Sequence, residues 1–175
     1  MLGGVDALSD LVLADDCLWA GVLYPDFLPE VATDLLVRGL DTPALRELAG
    51  LDLEPFDPRE ARDLWETVTR EVGVPDRDRG ARVVSAAQAL AASASTRSLP
   101  TDVVLRRFFC LTLAGDYPDD SDLMRLYGLD DEYRDDWGRS RAEIEIEVKG
   151  LLARLSARAQ PPSPVLIEAV ANSQI

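Results

Sequence analysis

The stretch AGDYPDDSDLMRLYGLDDEYRDDWGRS holds the side chains of this chain best suited to recognition. Asp116, Asp119, Asp120, Asp122, Asp130, Asp131, Glu132, Asp135 and Asp136 alternate there with Tyr117, Tyr127, Tyr133 and Trp137. Aromatic rings supply rigid anchors for a protein partner, and carboxylates steer and pair with a basic one. The pattern singles out Asp119, Asp120, Asp122, Tyr127, Asp130, Asp131, Tyr133, Asp135, Asp136 and Trp137 as partner-binding. A plainer reading has the aspartates capping short helices, with Tyr133 and Trp137, four apart, packing down together.

Metal and catalytic readings find less. A calcium loop needs acids at alternate positions, then a glycine and a distal glutamate; Asp120 and Asp122 give only the alternation. Helical di-metal sites use Glu-x-x-His pairs, and the chain has no histidine. An all-carboxylate magnesium site needs acids three or four apart on facing helices. Glu60 with Asp63, and Glu143 with Glu147, have that spacing, which also arises on any solvated acidic helix face. Without histidine, a serine or cysteine lacks its usual base. The hydroxyls of SASTRS, residues 93–98, sit in no nucleophile elbow, and no glycine-rich phosphate loop exists. The sequence thus assigns no catalytic residue, no metal ligand and no cofactor.

Charge narrows the partners. The net charge is −14 over 175 residues, with one lysine, Lys149. That argues against non-specific binding to nucleic acid or an anionic membrane, and allows a basic protein partner. Residues 1–58 carry 12 acids and 2 arginines, residues 59–115 carry 7 acids and 9 arginines, and residues 116–160 carry 12 acids and 7 bases. Two acidic faces around a central packing segment are the expectation. Aspartates interrupt the apolar N-terminal run, which fits neither a signal peptide nor a membrane span. Cys17 and Cys110 lie among apolar residues and read as reduced, buried thiols of a cytoplasmic protein, although the sequence leaves a bridge between them open.

The elements that must position these residues read as helices throughout. Leu8, Leu11, Val12, Leu18, Trp19 and Val22 recur at helical spacing until Pro25. Pro29 opens a helix that Gly39 closes, and Pro43 to Ala49 is a short one. Asp57, Pro58 and Glu60 form the signature of a capping box, with Ala61, Leu64, Trp65, Val68 and Val72 as its stripe and Gly73 as its end. The alanine-rich segment 81–95 presents small side chains that let neighbours approach, which places it at the centre. A helix follows from Thr101, with Leu105, Phe108, Phe109 and Thr112 inward. Short helices are expected to Tyr127 and over about 130–137. Residues 143–148 alternate like a strand, but Ile144, Val148, Leu151, Leu152 and Leu155 share one helical face, and the longer window predicts a helix. Pro161 to Pro164 reads as a helix terminator before a terminal helix with Val165, Leu166, Ile167 and Val170.

The sum is an all-α single domain, a compact bundle of about eight helices. Residues 1–160 form its body. Residues 161–175 form a Pro-started tail helix, docked on that body or exchanged into another subunit.

The stretch GLDTPALRELAGL has the punctuation of a helix-turn-helix DNA reader. Its second helix offers one base, Arg46, among Asp34, Asp41, Asp52, Glu54 and Asp57, a field that repels a duplex. A plain helical hairpin is the reading. LLVRGLDTPALRELAGL, followed by PFDPREARDLWETVTREVGVPDRDRGAR, resembles small uncharacterised all-helical proteins of high-GC Gram-positive bacteria, over about residues 30–85. The resemblance implies a helical fold and a cytoplasmic bacterial setting, and no activity.

The function expected is a non-enzymatic acidic protein-interaction module, in its sharpest form an immunity- or antitoxin-type inhibitor of a basic protein. The alternatives are a magnesium-dependent helical hydrolase of the nucleotide pyrophosphohydrolase kind, and a structural or assembly subunit. The sequence does not give the oligomeric state.

Overall fold

A computed structural model describes residues 3–52, 54–135 and 138–173. They form nine α-helices and no strand: α1 (Gly3–Trp19), α2 (Leu28–Val37), α3 (Pro43–Ala49), α4 (Pro58–Val72), α5 (Arg79–Arg97), α6 (Thr101–Ala114), α7 (Ser121–Asp135), α8 (Arg141–Ser156) and α9 (Pro164–Asn172). A 3-10 turn over Pro25–Phe27 leads into α2.

The starts are set locally, by side chains that accept a free N–H of the first turn. Thr42 accepts from Leu45, Asp78 from Ala81 and Ser163 from Leu166. Ser140 and Glu143 make a reciprocal capping box. Asp57 caps α4 through Arg59 N at 2.8 Å, so the box expected with Glu60 is replaced by a simple cap. Gly73 ends α4 at φ 76°, a left-handed position that glycine adopts without Cβ strain.

Helix α5 is the hub, packed against α1, α6, α8 and α9. Val83, Ala86, Ala87, Leu90, Ala91 and Ala94 are all buried, so most of its circumference is covered. Small residues answer it on α1, where Ala7, Leu11, Ala14 and Cys17 are buried. The buried face of α1 is therefore rotated from the one expected: Leu8 and Trp19 are exposed. A bulky stripe would hold α1 away from the alanines, and close approach of two small faces gains more contact. At Gly115 a Cβ would come within 2.9 Å of Val83 Cγ2, so α6 ends hard against the hub.

Two further expectations are corrected. Instead of two short helices, α7 runs unbroken through Gly128. An internal glycine costs only about 1 kcal/mol, less than the burial of Leu123, Leu126 and Leu129 along one face returns. Cys110 and Phe109 are half-buried on the outer side of α6, whereas Cys17 is fully buried, and both thiols are free. The face of α8 follows the sequence: Ile144, Val148, Leu151, Leu152 and Leu155 are buried. Helix α9 packs on α5 and α2 of its own chain through Leu166, Ala169 and Val170. No helix among the described residues is long and apolar enough to cross a membrane.

Candidate interaction surface

The acid-aromatic segment does not form one surface. Asp120 caps the start of α7, accepting from Asp122 N at 3.0 Å and Leu123 N at 3.1 Å, and takes Arg158 Nη1 at 2.7 Å. Asp122 is buried and bonded to Arg154, at 2.8 Å, and to Arg158. These bonds, that from Arg154 first, hold its carboxyl below the usual range. Asp130 is buried under Arg134. The Tyr133 hydroxyl donates to Glu145 Oε1 at 3.2 Å, and Arg141 lies 5.2 Å over its ring. Asp119, Asp131 and Asp135 are exposed. Asp136 and Trp137 lie outside the described residues. Asp120 and Asp122 thus tie the start of α7 to the C-terminal end of α8 and the residues after it, while Asp130 pairs within α7. Arg154 on α8 and Arg158 just past its end, four residues apart, were the signal in the sequence for this.

A second staple joins α7 and α8 beside the first. Glu147 accepts from Arg125 Nε at 2.5 Å and Nη2 at 3.0 Å, and from Arg139, which also grips Glu132. The two guanidinium groups, Arg125 first, bring the Glu147 pKa down from 4.5 to about 2. Its folded-state pKa lies below the unfolded one, so this stabilisation is complete above about pH 4.5 and is lost as pH falls through about 2. Glu147→Gln is expected to lower stability by about 1 kcal/mol at neutral pH, or ~2–4 °C in Tm. The gap from wild type should close as the pH approaches 2. Thermal melts of both proteins from pH 2 to 7 check this, and a gap independent of pH would refute it.

These bonds also bear on the carboxylate pairs noted in the sequence. Glu147 is held by two arginines and Glu143 by its own helix cap, at 2.9 Å from Ser140 N. Glu60 and Asp63 are exposed on α4. Among the described residues no group of three or more His, Cys, Asp or Glu stands close enough to share an ion. In the hairpin of α2 and α3, Arg46 is clamped by Asp41 through Nε at 2.6 Å and Nη2 at 2.5 Å. The one base of the would-be recognition helix is already engaged.

What α6 and α7 do leave facing outward is a set of rings. Phe109 and Tyr127 stack with centroids 4.9 Å apart and planes 9° from parallel. Tyr117 meets Tyr127 edge-on at 5.5 Å. Its bond to Tyr117, ahead of burial, raises the Tyr127 hydroxyl above the ordinary tyrosine range. Arg106 and Arg134 lie 5.1 and 5.8 Å over Phe109. Leu113, one turn beyond Phe109, and Met124, one turn before Tyr127, are exposed. Tyr117 is 51% exposed and stands on two successive left-handed residues, Asp116 at φ 54° and itself at φ 57°. Such conformations cost of order 1 kcal/mol or more each outside glycine, and gather where function holds them. Exposed Asp116, Asp119 and Asp131 neighbour the rings in the chain. Tyr127 is common to this cluster and the sequence-derived set; Phe109, Leu113 and Met124 were not in that set, because only the packing of α6 on α7 joins them to it.

No family model matches the chain, and no match to it exists among the curated proteins or the solved structures compared.

Proposed function

We propose that this protein is a non-enzymatic interaction module that binds a basic protein through the ring cluster at the outer side of α6 and α7. An immunity- or antitoxin-type inhibitor is the sharpest form of this reading. The observation that carries it is Tyr117, half exposed on a strained backbone and edge-on to Tyr127, which in turn stacks on Phe109. Stacked rings with an exposed Met and flanking arginines have the composition of an interface hot spot. The net charge of −14 and the exposed aspartates beside the rings suit a partner of opposite sign. Asp120 and Asp122, expected to meet that partner, pair instead with Arg154 and Arg158, and Asp130 pairs with Arg134 of its own helix.

Affinity capture at low salt is expected to recover a basic protein, with recovery falling steeply as salt is raised. Tyr117→Ala should weaken capture about 100-fold, a typical loss for a buried aromatic anchor, while leaving Tm nearly unchanged because the ring is exposed. Recovery of only acidic or neutral proteins, or of none, would overturn the reading. So would binding indifferent to salt or to Tyr117.

A further inference from the structure

Helix α8 is buried on one side, through Ile144, Val148, Leu151, Leu152 and Leu155. Its opposite side is apolar too. Ala142, Ile146, Gly150 and Ala153 recur there at three- and four-residue steps, and Ala157 continues the line just past the helix end. All five are exposed, Ile146 to 71%, and no described element of the chain covers them. Gly150 sits in the middle of this face. A glycine inside a helix is destabilising relative to alanine. Nothing within the chain requires it here, because a Cβ would meet only Arg154 Nη1, at 3.9 Å. It leaves a notch one turn from Ile146.

The charge of α8 is unlike that of the rest. Arg141, Lys149 and Arg154 balance Glu143, Glu145 and Glu147, so the helix is neutral in a chain of net charge −14. A basic partner gains little there, and a second copy is not repelled by the helix itself. The order of the charges selects that copy. After Arg141, the acids lie in the N-terminal half and Lys149 and Arg154 in the C-terminal half, so an antiparallel α8 opposes unlike charges.

We propose that this protein forms a homodimer through the outer face of α8, packed antiparallel on the α8 of a second copy with Ile146 in the notch at Gly150. A twofold axis across the pair sets each flank of the helix on the same flank of the copy. With Ile146 level with Gly150 of the copy, Glu143 lies about 1.5 Å along the axis from Arg154 of the copy on one flank. On the other flank, Glu145 lies about 3 Å along the axis from Lys149 of the copy. By symmetry each contact forms twice. The groups needed are at hand. Glu143 spends Oε2 on Ser140 and Arg154 spends Nη2 on Asp122, while Glu143 Oε1 and Arg154 Nη1 take no bond among the described residues. Lys149 is exposed and pairs with no acid there. The contact does not use the ring cluster on α6 and α7.

Sedimentation equilibrium of the full chain is expected to show a dimer with a Kd below about 1 mM, the weak end suited to one helix on one helix. Monomer alone up to that concentration overturns the proposal. Ile146→Glu should weaken association at least tenfold with Tm nearly unchanged, because the side chain is exposed in the single chain. Gly150→Leu should raise Tm, since leucine outranks glycine in a helix, yet weaken association at least tenfold by filling the notch. Lys149→Glu and Glu145→Lys each set like charges against each other in their own dimers, and should weaken them about tenfold. Mixed, the two variants restore both pairs and should associate as tightly as wild type. A mixture no tighter than its components overturns the proposal, as does a dimer indifferent to Ile146→Glu. Loss of the dimer on Tyr117→Ala would place the contact at the ring cluster instead, and overturns it equally.

Discussion

Arg107→Ala is expected to destabilise the protein by about 3 kcal/mol, or roughly 6–12 °C in Tm for a chain of this length. Arg107 projects from α6 into the interior and is 2% exposed. Its Nη2 donates to two carbonyls at 2.8 Å each, Val22 O after α1 and Val170 O in α9. One side chain thus pins the central helices to the turn before α2 and to the C-terminal helix. The Tyr24 N bond to Ser173 Oγ at 2.9 Å fastens the same two segments nearby.

Two opposing effects set the magnitude. Truncation leaves two buried carbonyls without a donor, at about 1–3 kcal/mol each, and opens a cavity. Against this, among the described residues no carboxylate bonds Arg107, its Nε and Nη1 are buried without partners, and burial holds its guanidinium below the usual arginine range. Removing the cation relieves part of that desolvation. Arg107→Met separates the effects, because it keeps most of the volume and none of the bonds. It should fall between Ala and wild type. Urea unfolding measures all three, and limited proteolysis should find α9 released first in the Ala variant. A loss under 1 kcal/mol with α9 still protected would show that the two carbonyl bonds do not matter.

Asp16→Ala should cost about 3 kcal/mol as well, the lower end of what breaking a buried ion pair costs. Asp16 is fully buried and bonded to Arg77 and to Arg82 Nε at 3.2 Å. Arg82 continues to Asp15 and lies 5.3 Å over the Trp19 ring, and Trp65 Nε1 donates to Asp15 Oδ1 at 3.1 Å. Alanine would leave the partly exposed Arg77 without a carboxylate and Arg82 with Asp15 alone. Asp16→Asn should cost only ~1 kcal/mol, because it still offers an acceptor and removes a buried charge.

The pH dependence follows from the same burial. Desolvation, outweighing Arg77 and Arg82, raises the Asp16 pKa above 3.8. The folded state therefore binds this proton more tightly than the unfolded one. Stability from this group falls as pH rises through its folded pKa. Wild type should accordingly gain on Asp16→Asn as pH drops from 7 towards 4. Paired denaturation curves decide it, and a wild type that loses ground over that range would contradict the sign.

Several helix starts and the buried face of α8 were legible in the sequence, because caps and apolar spacing act within a few residues. Pro43 opens α3, and Asp57 caps α4 with Pro58 at its first turn, as their types and positions suggest. The buried face of α8 and the central place of the alanine-rich α5 follow from the same local patterns. The candidate surface was only half legible. An aspartate before a helix looks the same whether it faces water or an arginine 36 residues away, as Asp122 faces Arg158.

Tertiary packing decided the rest. It turned α1 until its small residues met the alanines of α5, carried α7 straight through Gly128, and spent Asp120, Asp122 and Glu147 on arginines of neighbouring elements. It also set Tyr117 and Phe109 against Tyr127. The division has one physical reason. Backbone caps and helical periodicity are settled by neighbours in sequence, whereas the pairing of a charge or the exposure of a ring depends on which distant helix arrives beside it.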